Sequence, residues 1–228
     1  MSTQQEFWSA YYRAVFQQGH HWLDYSNERV QAQTFALVLE AAGPILGRRC
    51  LDIGCGWGQL ARALHELGAS EVTAVDVVPE TIERLSKLHA HVRWLTGDLS
   101  RDELGLPHAS IDLLLLVEVL QYMPLAQTLR TAWKLLAPGG RLVAIVPNAD
   151  CPIVAGTRER FDSRYAPPSF EQLRLEIGAL SGVEHWACRG LEFAKDQRIA
   201  PYETTCWTQA PSWTRQPNRF QLALMKTT

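Results

Sequence analysis

Residues 50–60 read CLDIGCGWGQL, and they set an acid, Asp52, just before three alternating glycines, Gly54, Gly56 and Gly58. A strand, a glycine-rich turn and a helix in that order present backbone N–H groups and a helix N-terminus to a ligand. Glycines allow close approach and backbone angles that other residues avoid. The spacing departs from the dinucleotide fingerprint G-x-G-x-x-G, because the glycines fall at 54, 56 and 58 and Gln59 follows. The lysine-bearing phosphate loop is absent from the sequence. Two further acids close apolar segments downstream, Asp76 in AVDVVPE and Asp98 in WLTGDLS. Taken singly, each acid also has a local use. Asp52 could cap the turn, and Asp76 could N-cap a helix opening at Pro79.

The elements that carry these residues follow from periodicity. Residues 3–17 and 27–42 read as helices, the second with Ser26 as its N-cap and an apolar face on Val30, Phe35, Val38, Leu39 and Ala42. Strands are expected at 49–53, 71–75, 91–95, 111–117 and 141–146. Helices are expected at 58–67, from Pro79, and from Pro124 to about 136. Alternating strands and helices imply βαβ units, a parallel sheet and ligands at the carboxyl ends of the strands. After Asn148 the rhythm changes. Residues 149–168 read as an irregular excursion, and Ser169 with Gln172 forms a capping box for a helix to about 180. The last strands are expected at 183–189 and 220–225. Between them a proline- and tryptophan-bearing segment, 190–218, reads as a functional loop or a poorly ordered one.

Composition bounds the partners. The chain has 228 residues, five cysteines and a formal net charge of −2. No run of like charge offers a nucleic-acid footprint. Cysteines 50, 55, 151, 188 and 206 are odd in number and show neither metal-ligand nor redox spacing, so they read as reduced thiols of a cytoplasmic protein. No metal site is expected. The segment MSTQQEFWSAYYRAVF has no basic region followed by an apolar one and is not expected to be a secretory signal. No apolar run is long enough for membrane insertion.

The motifs together resemble those of the class I S-adenosylmethionine-dependent methyltransferases. The resemblance rests on Asp52-x-Gly54-x-Gly56-x-Gly58, on Asp76 and Asp98 in order, on IDLLLLVEVLQYMP and on LLAPGGRLVAIVPN, and it covers about 45–148. It implies an α/β, Rossmann-like, doubly wound and mostly parallel seven-stranded sheet with helices on both faces and an N-terminal helical lid. One methyltransferase domain is implied over 1–228: lid 1–44, cofactor-binding core 45–148 and substrate-side excursion, last helix and strands 149–228. The implied cofactor is S-adenosyl-L-methionine, leaving S-adenosyl-L-homocysteine. Carried over from the family, Asp76 accepts from the ribose hydroxyls, Val77 lies on the adenine and Asp98 accepts from the adenine amine beside the Leu99 N–H. Gly54 and Gly56 line the methionyl end, and Asp52 faces the ammonium directly or through water. Cys55, Gly58, Val117 and Glu118 complete the implied cofactor set, Cys55 as a small packed residue.

Methyl transfer from a sulfonium needs alignment first and a base only if the acceptor must lose a proton. Many relatives carry a histidine in the turn after the fourth strand, where this chain has Tyr122. Tyr122 could bond the acceptor or simply pack. His20 and His21 are the other candidates for catalysis. Tyr11, Tyr12, Trp22 and Asn148 are candidates for the acceptor site. The extra sequence at the N-terminus, 149–168 and 190–218 favours a small-molecule acceptor methylated on N or O, a secondary metabolite or quinone-like compound. DNA is not an expected partner, and the chain is expected to be a monomer or homodimer. Protein or RNA methylation, and a non-catalytic cofactor-binding role, are the alternatives.

Overall fold

The computed structural model describes residues 6, 7, 10, 11, 13, 14, 28–101, 103–152, 154, 155, 164–193, 199–206 and 217–228. Helix α1 spans Glu28–Ala42 and β1 Arg49–Ile53. Helix α2 (Gln59–Glu66), β2 (Glu71–Asp76), α3 (Pro79–Leu88) and β3 (Arg93–Thr96) follow. After β4 (Ile111–Val117) come α4 (Leu125–Leu135) and β5 (Leu136–Pro147). The chain then forms α5 (Phe170–Gly178), β6 (Val183–Phe193), β7 (Ile199–Cys206) and β8 (Arg219–Lys226).

The strands form one sheet in the order β3-β2-β1-β4-β5-β8-β6-β7. Pairings from β3 to β5 are parallel, and those involving β8, β6 and β7 are antiparallel. The chain winds outward from β1 in one direction and from β4 in the other. The switch point therefore lies between the carboxyl ends of β1 and β4, where open α/β sheets bind ligands.

The apolar run of β4 explains the layering. Successive side chains point to opposite faces. Leu113 and Leu115 join Val38, Ala42, Leu60 and Leu64 on the face covered by α1 and α2. Leu114 and Leu116 join Leu129, Trp133, Leu173 and Ile177 under α4 and α5. All four leucines are fully buried, each contributing about 1.5–3 kcal/mol. A strand covered on both faces has no polar side to show, hence the continuous apolar run from Leu113 to Val117.

Sequence expectation and structure agree closely here. Pro79 occupies the start of α3. The Ser169–Gln172 capping box is formed, with Gln172 N–H donating to Ser169 Oγ at 3.2 Å and Ser169 N–H to Gln172 Oε1 at 2.9 Å. The seven expected strands are present, and an eighth, β7, lies within the 190–218 segment read as a loop. It carries Pro201, which cannot donate to a ladder and so weakens a strand pattern. The edge is where such a strand is tolerated, and β7 pairs with β6 alone. Strand β5 also starts earlier than expected. Ala137–Gly140 bulge out between the pairs Ile111↔Leu136 and Leu113↔Arg141.

The described positions among 6–14 are helical. Phe7 and Tyr11 pack against a small cluster of Cys151, Val154 and Tyr165. Arg13 Nε lies 2.8 Å from Glu80 Oε1 at the start of α3. This segment therefore reaches from the region beyond β5 to the helix that follows β2, over the carboxyl ends of the strands. Ser26 lies outside the described residues.

Candidate functional site

The three glycines follow β1 with positive φ: 72° at Gly54, 51° at Gly56 and 68° at Gly58. Residues with a Cβ rarely take such angles. The three positions differ in surroundings. A Cβ at Gly54 would lie 2.7 Å from Val119 Cγ2, and one at Gly58 2.4 Å from Trp94 Cη2. At Gly56 it would meet nothing within 4 Å. Gly54 and Gly58 are thus small for packing, and Gly56 faces open space.

Asp76 ends β2 and ties the turn in place. Its Oδ2 accepts from the Gly56 N–H at 2.9 Å and its Oδ1 from the Val78 N–H at 3.1 Å. The Gly54 and Cys55 N–H groups both donate to the Val75 carbonyl, at 2.8 and 3.0 Å. Burial pushes the Asp76 carboxyl up, and the backbone donors of Gly56, Val78 and Val77 oppose that shift. A carboxylate has about four acceptor sites, so two backbone donors do not exhaust it.

Asp52 lies beneath the turn, 2% exposed. Its Oδ2 is buried with no hydrogen-bond partner. Burial first, and the nearby Asp76 charge second, push its carboxyl up to about 7. A buried carboxylate therefore feels the charge of a partly buried one, which is costly without a cation. Cys55 is buried at 8% exposure, and burial raises its thiol well above the ordinary value, so it is no nucleophile.

The remaining cofactor-set residues sit around the same edge. Asp98 accepts from the Ser100 N–H at 3.0 Å and Ser100 Oγ at 2.7 Å, and its Oδ2 lies 3.5 Å from Arg101 Nε. Leu99 points its side chain into the core. Val77 and Val117 are half-buried. Glu118 directs its carboxylate to Arg219, with Oε1 2.6 Å from Nε.

Among the catalytic and acceptor candidates, Tyr122 closes a short 3₁₀ turn, Leu120–Tyr122. Its ring lies 5.8 Å from that of Tyr165. Tyr11 and Tyr122 pack on the same small cluster, so the structure brings these two together. Asn148 is fully buried. Its Nδ2 donates to the Pro217 carbonyl at 2.8 Å, and its Oδ1 accepts from the Asp150 N–H at 2.9 Å. That amide holds loop backbone on both its nitrogen and its oxygen. His20, His21, Tyr12 and Trp22 lie outside the described residues. Sequence reasoning missed Tyr165, Arg164 and Arg219. Arg164 stands 3.8 Å over the Phe7 ring. These residues come from segments without a motif, and only the tertiary fold brings them to the strand ends.

No helix among the described residues is long and apolar enough to cross a membrane. No group of three metal-ligating side chains occurs among them.

Comparison with known proteins adds to the geometry. Residues 51–144 match a family described as a methyltransferase domain. A ubiquinone biosynthesis O-methyltransferase of Cereibacter sphaeroides is 34% identical over 150 residues, covering 63% of this chain and 59% of that protein. One of Escherichia coli is 32% identical over 130 residues, covering 53% of each. The chain thus spans well under two thirds of the length of these curated relatives. Among solved structures, an S-adenosylmethionine-dependent methyltransferase from Mesorhizobium loti superposes with a TM-score of 0.64 at 18% identity, over 86% of this chain and all of that one. The N-methyltransferase NodS from Bradyrhizobium japonicum gives 0.59 at 18% identity, over 89% and 99%. These two likenesses concern the fold. Family match, strand order and motif order agree: residues 51–144 carry a match to a methyltransferase domain, set in the sheet order that this domain requires of its cofactor-side strands.

Proposed function

We propose that this protein transfers a methyl group from S-adenosylmethionine to an N or O atom of a small aromatic acceptor of quinone-like character. The single observation that carries the reading is the nearness of buried Asp52, at the end of β1 beside the switch point, to partly buried Asp76 at the end of β2. A phosphate ligand would be repelled by them, whereas a cationic nucleoside with vicinal hydroxyls suits them. The residues fit that cofactor: the orphaned Asp52 Oδ2 suits an ammonium, reached directly or through water. Asp76 has acceptor capacity for ribose hydroxyls, and the open space at Gly56 lets a ligand approach the backbone.

When bound, the cofactor supplies a methyl already activated by its sulfonium. The chain's own task is alignment and exclusion of water, and orientation of this kind lowers a barrier by about 7–11 kcal/mol. Asp76 and the Gly56 N–H hold one end of the crevice as a unit. Val77, half-buried beside it, offers an apolar surface for the adenine. Asp98, tied to Ser100 and Arg101, retains acceptor capacity for an amine. The described helical residues among 6–14 bring Phe7 and Tyr11 against the cluster of Tyr165 and Tyr122, a contact that supports a role in walling the acceptor side from water. His20 and His21 remain candidates for a base on that side. The relatives named for ubiquinone biosynthesis O-methylation support a phenolic acceptor.

The deciding experiment compares ligands by thermal shift and calorimetry. S-adenosylhomocysteine is expected to stabilise the protein, and NAD is not. Stabilisation by NAD alone would overturn the assignment. Binding of S-adenosylhomocysteine with no methyl transfer to any of a broad panel of phenols and amines would instead support a non-catalytic binding protein.

A further inference from the structure

Three histidines gather away from the cofactor crevice. His65 lies in the last turn of α2, His89 directly follows α3, and His91 stands two residues before β3. In a parallel sheet the helices end where the strands begin, so this cluster sits at the opposite edge from the glycine turn. The His65 and His91 rings stack, with centroids 4.2 Å apart and planes at 30°, and the His89 ring meets His91 edge-on at 5.9 Å. Arg62 precedes His65 by three positions on α2, a spacing that sets both on one helix face.

Trp94 of β3 holds the cluster together. Its indole N–H donates to the His89 carbonyl at 2.8 Å, and its ring lies 6.5 Å from that of His89. The same indole packs against Gly58, the N-cap of α2, where an added Cβ would come within 2.4 Å of Cη2. The Gly58 carbonyl in turn accepts from the Arg62 N–H at 3.0 Å. Trp94 therefore ties the turn of α2 that carries Arg62 to the segment that carries His89 and His91.

What these side chains lack is an acceptor. Arg62 Nε is buried with no hydrogen-bond partner. Among the described residues, no hydrogen bond or ion pair engages the Arg62 guanidinium or the three imidazole rings. The helix ends do not use them as caps, because the Ala63, His65 and Leu85 carbonyls accept from the backbone N–H groups of Leu67, Gly68 and His89. Nor do the rings converge as ligands for a metal ion.

The charges on the surrounding elements leave the cluster uncompensated. Glu83 and Lys87 of α3 close on each other at 2.6 Å, and Glu71 of β2 acts on Arg49. Arg84 of α3 and Arg93 of β3 are exposed cations. Glu66 is exposed four positions after Arg62, in the less favourable order for a helical pair, and does not bond to it. A buried guanidinium N–H without an acceptor is costly. Stacked imidazoles gain protons together only when a counter-charge enters beside them. Burial first, then Arg62 and His91, already hold the His89 ring below its ordinary protonation range. A compact oxyanion answers both demands, since it offers acceptors to Arg62 and balances imidazolium charge.

We propose that Arg62, His65, His89 and His91 form a proton-linked binding site for a small tetrahedral oxyanion of the sulfate or phosphate type, separate from the cofactor crevice. The site stands independently of the methyltransferase reading. Anion entry brings proton uptake at the imidazoles, so the site fills as pH falls below neutrality and empties above it.

Sulfate is the probe, because its charge stays constant between about pH 6 and about pH 8. The full chain is titrated with it at constant ionic strength, set with chloride, and the histidine ring signals are followed by NMR. Sulfate is expected to bind about tenfold or more tightly at the lower pH, as a charge-assisted contact implies. The ring signals of His65, His89 and His91 are expected to move, and those of His108 and His185 to stay. Arg62→Gln is expected to weaken binding about tenfold or more, and His89→Gln to reduce the pH dependence. Equal affinity at the two pH values overturns the proposal, as does movement shared by all the histidines, which marks general screening. An Arg62→Gln variant that binds sulfate as the wild type does overturns it too. Should that variant not fold, the double variant His65→Gln/His91→Gln replaces it: the pH dependence is expected to vanish, and its survival overturns the proposal.

Discussion

The Asp76 carboxylate holds the Gly56 N–H at 2.9 Å, joining the end of β2 to the glycine turn across 20 positions of sequence. The acid expected to grip the ribose is also the anchor of the turn that approaches the ligand. One substitution therefore removes both. Asp76→Ala is expected to weaken S-adenosylhomocysteine binding by about 1.5–3 kcal/mol, the range for hydrogen bonds involving a charge. Isothermal calorimetry on the folded variant checks this, and unchanged affinity would remove Asp76 from the site.

Asp52 makes the site sensitive to pH. Burial and the Asp76 charge raise its carboxyl from 3.8 to about 7. Between those values the folded chain keeps a proton that the unfolded chain has released. The ligand-free protein should therefore lose stability as pH rises from about 4 to about 7, and Asp52→Asn should flatten that decline. Ligand binding runs the other way. An ammonium favours the ionised carboxylate, so S-adenosylhomocysteine should bind more tightly as pH rises through neutrality and should release a proton. Calorimetry near pH 6 in two buffers of different ionisation enthalpy measures that proton directly. Heats that do not depend on the buffer would contradict the assignment of Asp52 to the ligand.

The glycines separate packing from binding. Gly54→Ala places a Cβ 2.7 Å from Val119 at φ 72°, so strain and clash both act on the fold. A loss of about 1–3 kcal/mol is expected in denaturant unfolding. Gly56→Ala meets open space at φ 51°, so its cost in stability is the strained angle alone, about 1 kcal/mol. Its effect on S-adenosylhomocysteine affinity should be the larger of the two, because the added methyl occupies the face that the ligand approaches. If Gly56→Ala binds as the wild type does, the ligand does not lie against that turn.

Much of this was legible in the sequence, for reasons that differ from residue to residue. The run Leu113–Leu116 is apolar at every position because β4 is covered on both faces, and that pattern survives any detail of packing. Ser169 and Gln172 read as a cap because capping chemistry is local. Asp52 and Asp76 gained meaning only jointly, from register across three elements. Arg219, Tyr165 and Arg164 carried no signal, since their roles depend on contacts between segments far apart in sequence. The Arg219–Glu118 pair spans 101 positions. Strand β7 was obscured by Pro201, which an edge strand tolerates and a local pattern penalises.

Tyr122 takes the place where many relatives of this family carry a histidine, and its surroundings decide what it does there. Its ring packs 5.8 Å from Tyr165. Burial, with Glu118 and Tyr122 adding to it against Arg219, pushes the Tyr165 hydroxyl up. At neutral pH Tyr165 thus keeps its proton and serves as a hydrogen-bond donor, not as a base. Tyr122→Phe preserves the ring packing and removes one hydroxyl, so the fold and the S-adenosylhomocysteine affinity should be unchanged. If that hydroxyl contacts the acceptor, kcat/KM should fall about two- to tenfold, the worth of one neutral hydrogen bond. The pH dependence supplies the second readout. With Tyr165 holding its proton, the acid limb of kcat/KM should follow the ionisation of the acceptor and shift when a more acidic phenol is used. A limb that stays fixed across phenols of different acidity would instead point to a protein base. Loss of that limb in His20→Ala or His21→Ala would identify which histidine supplies it.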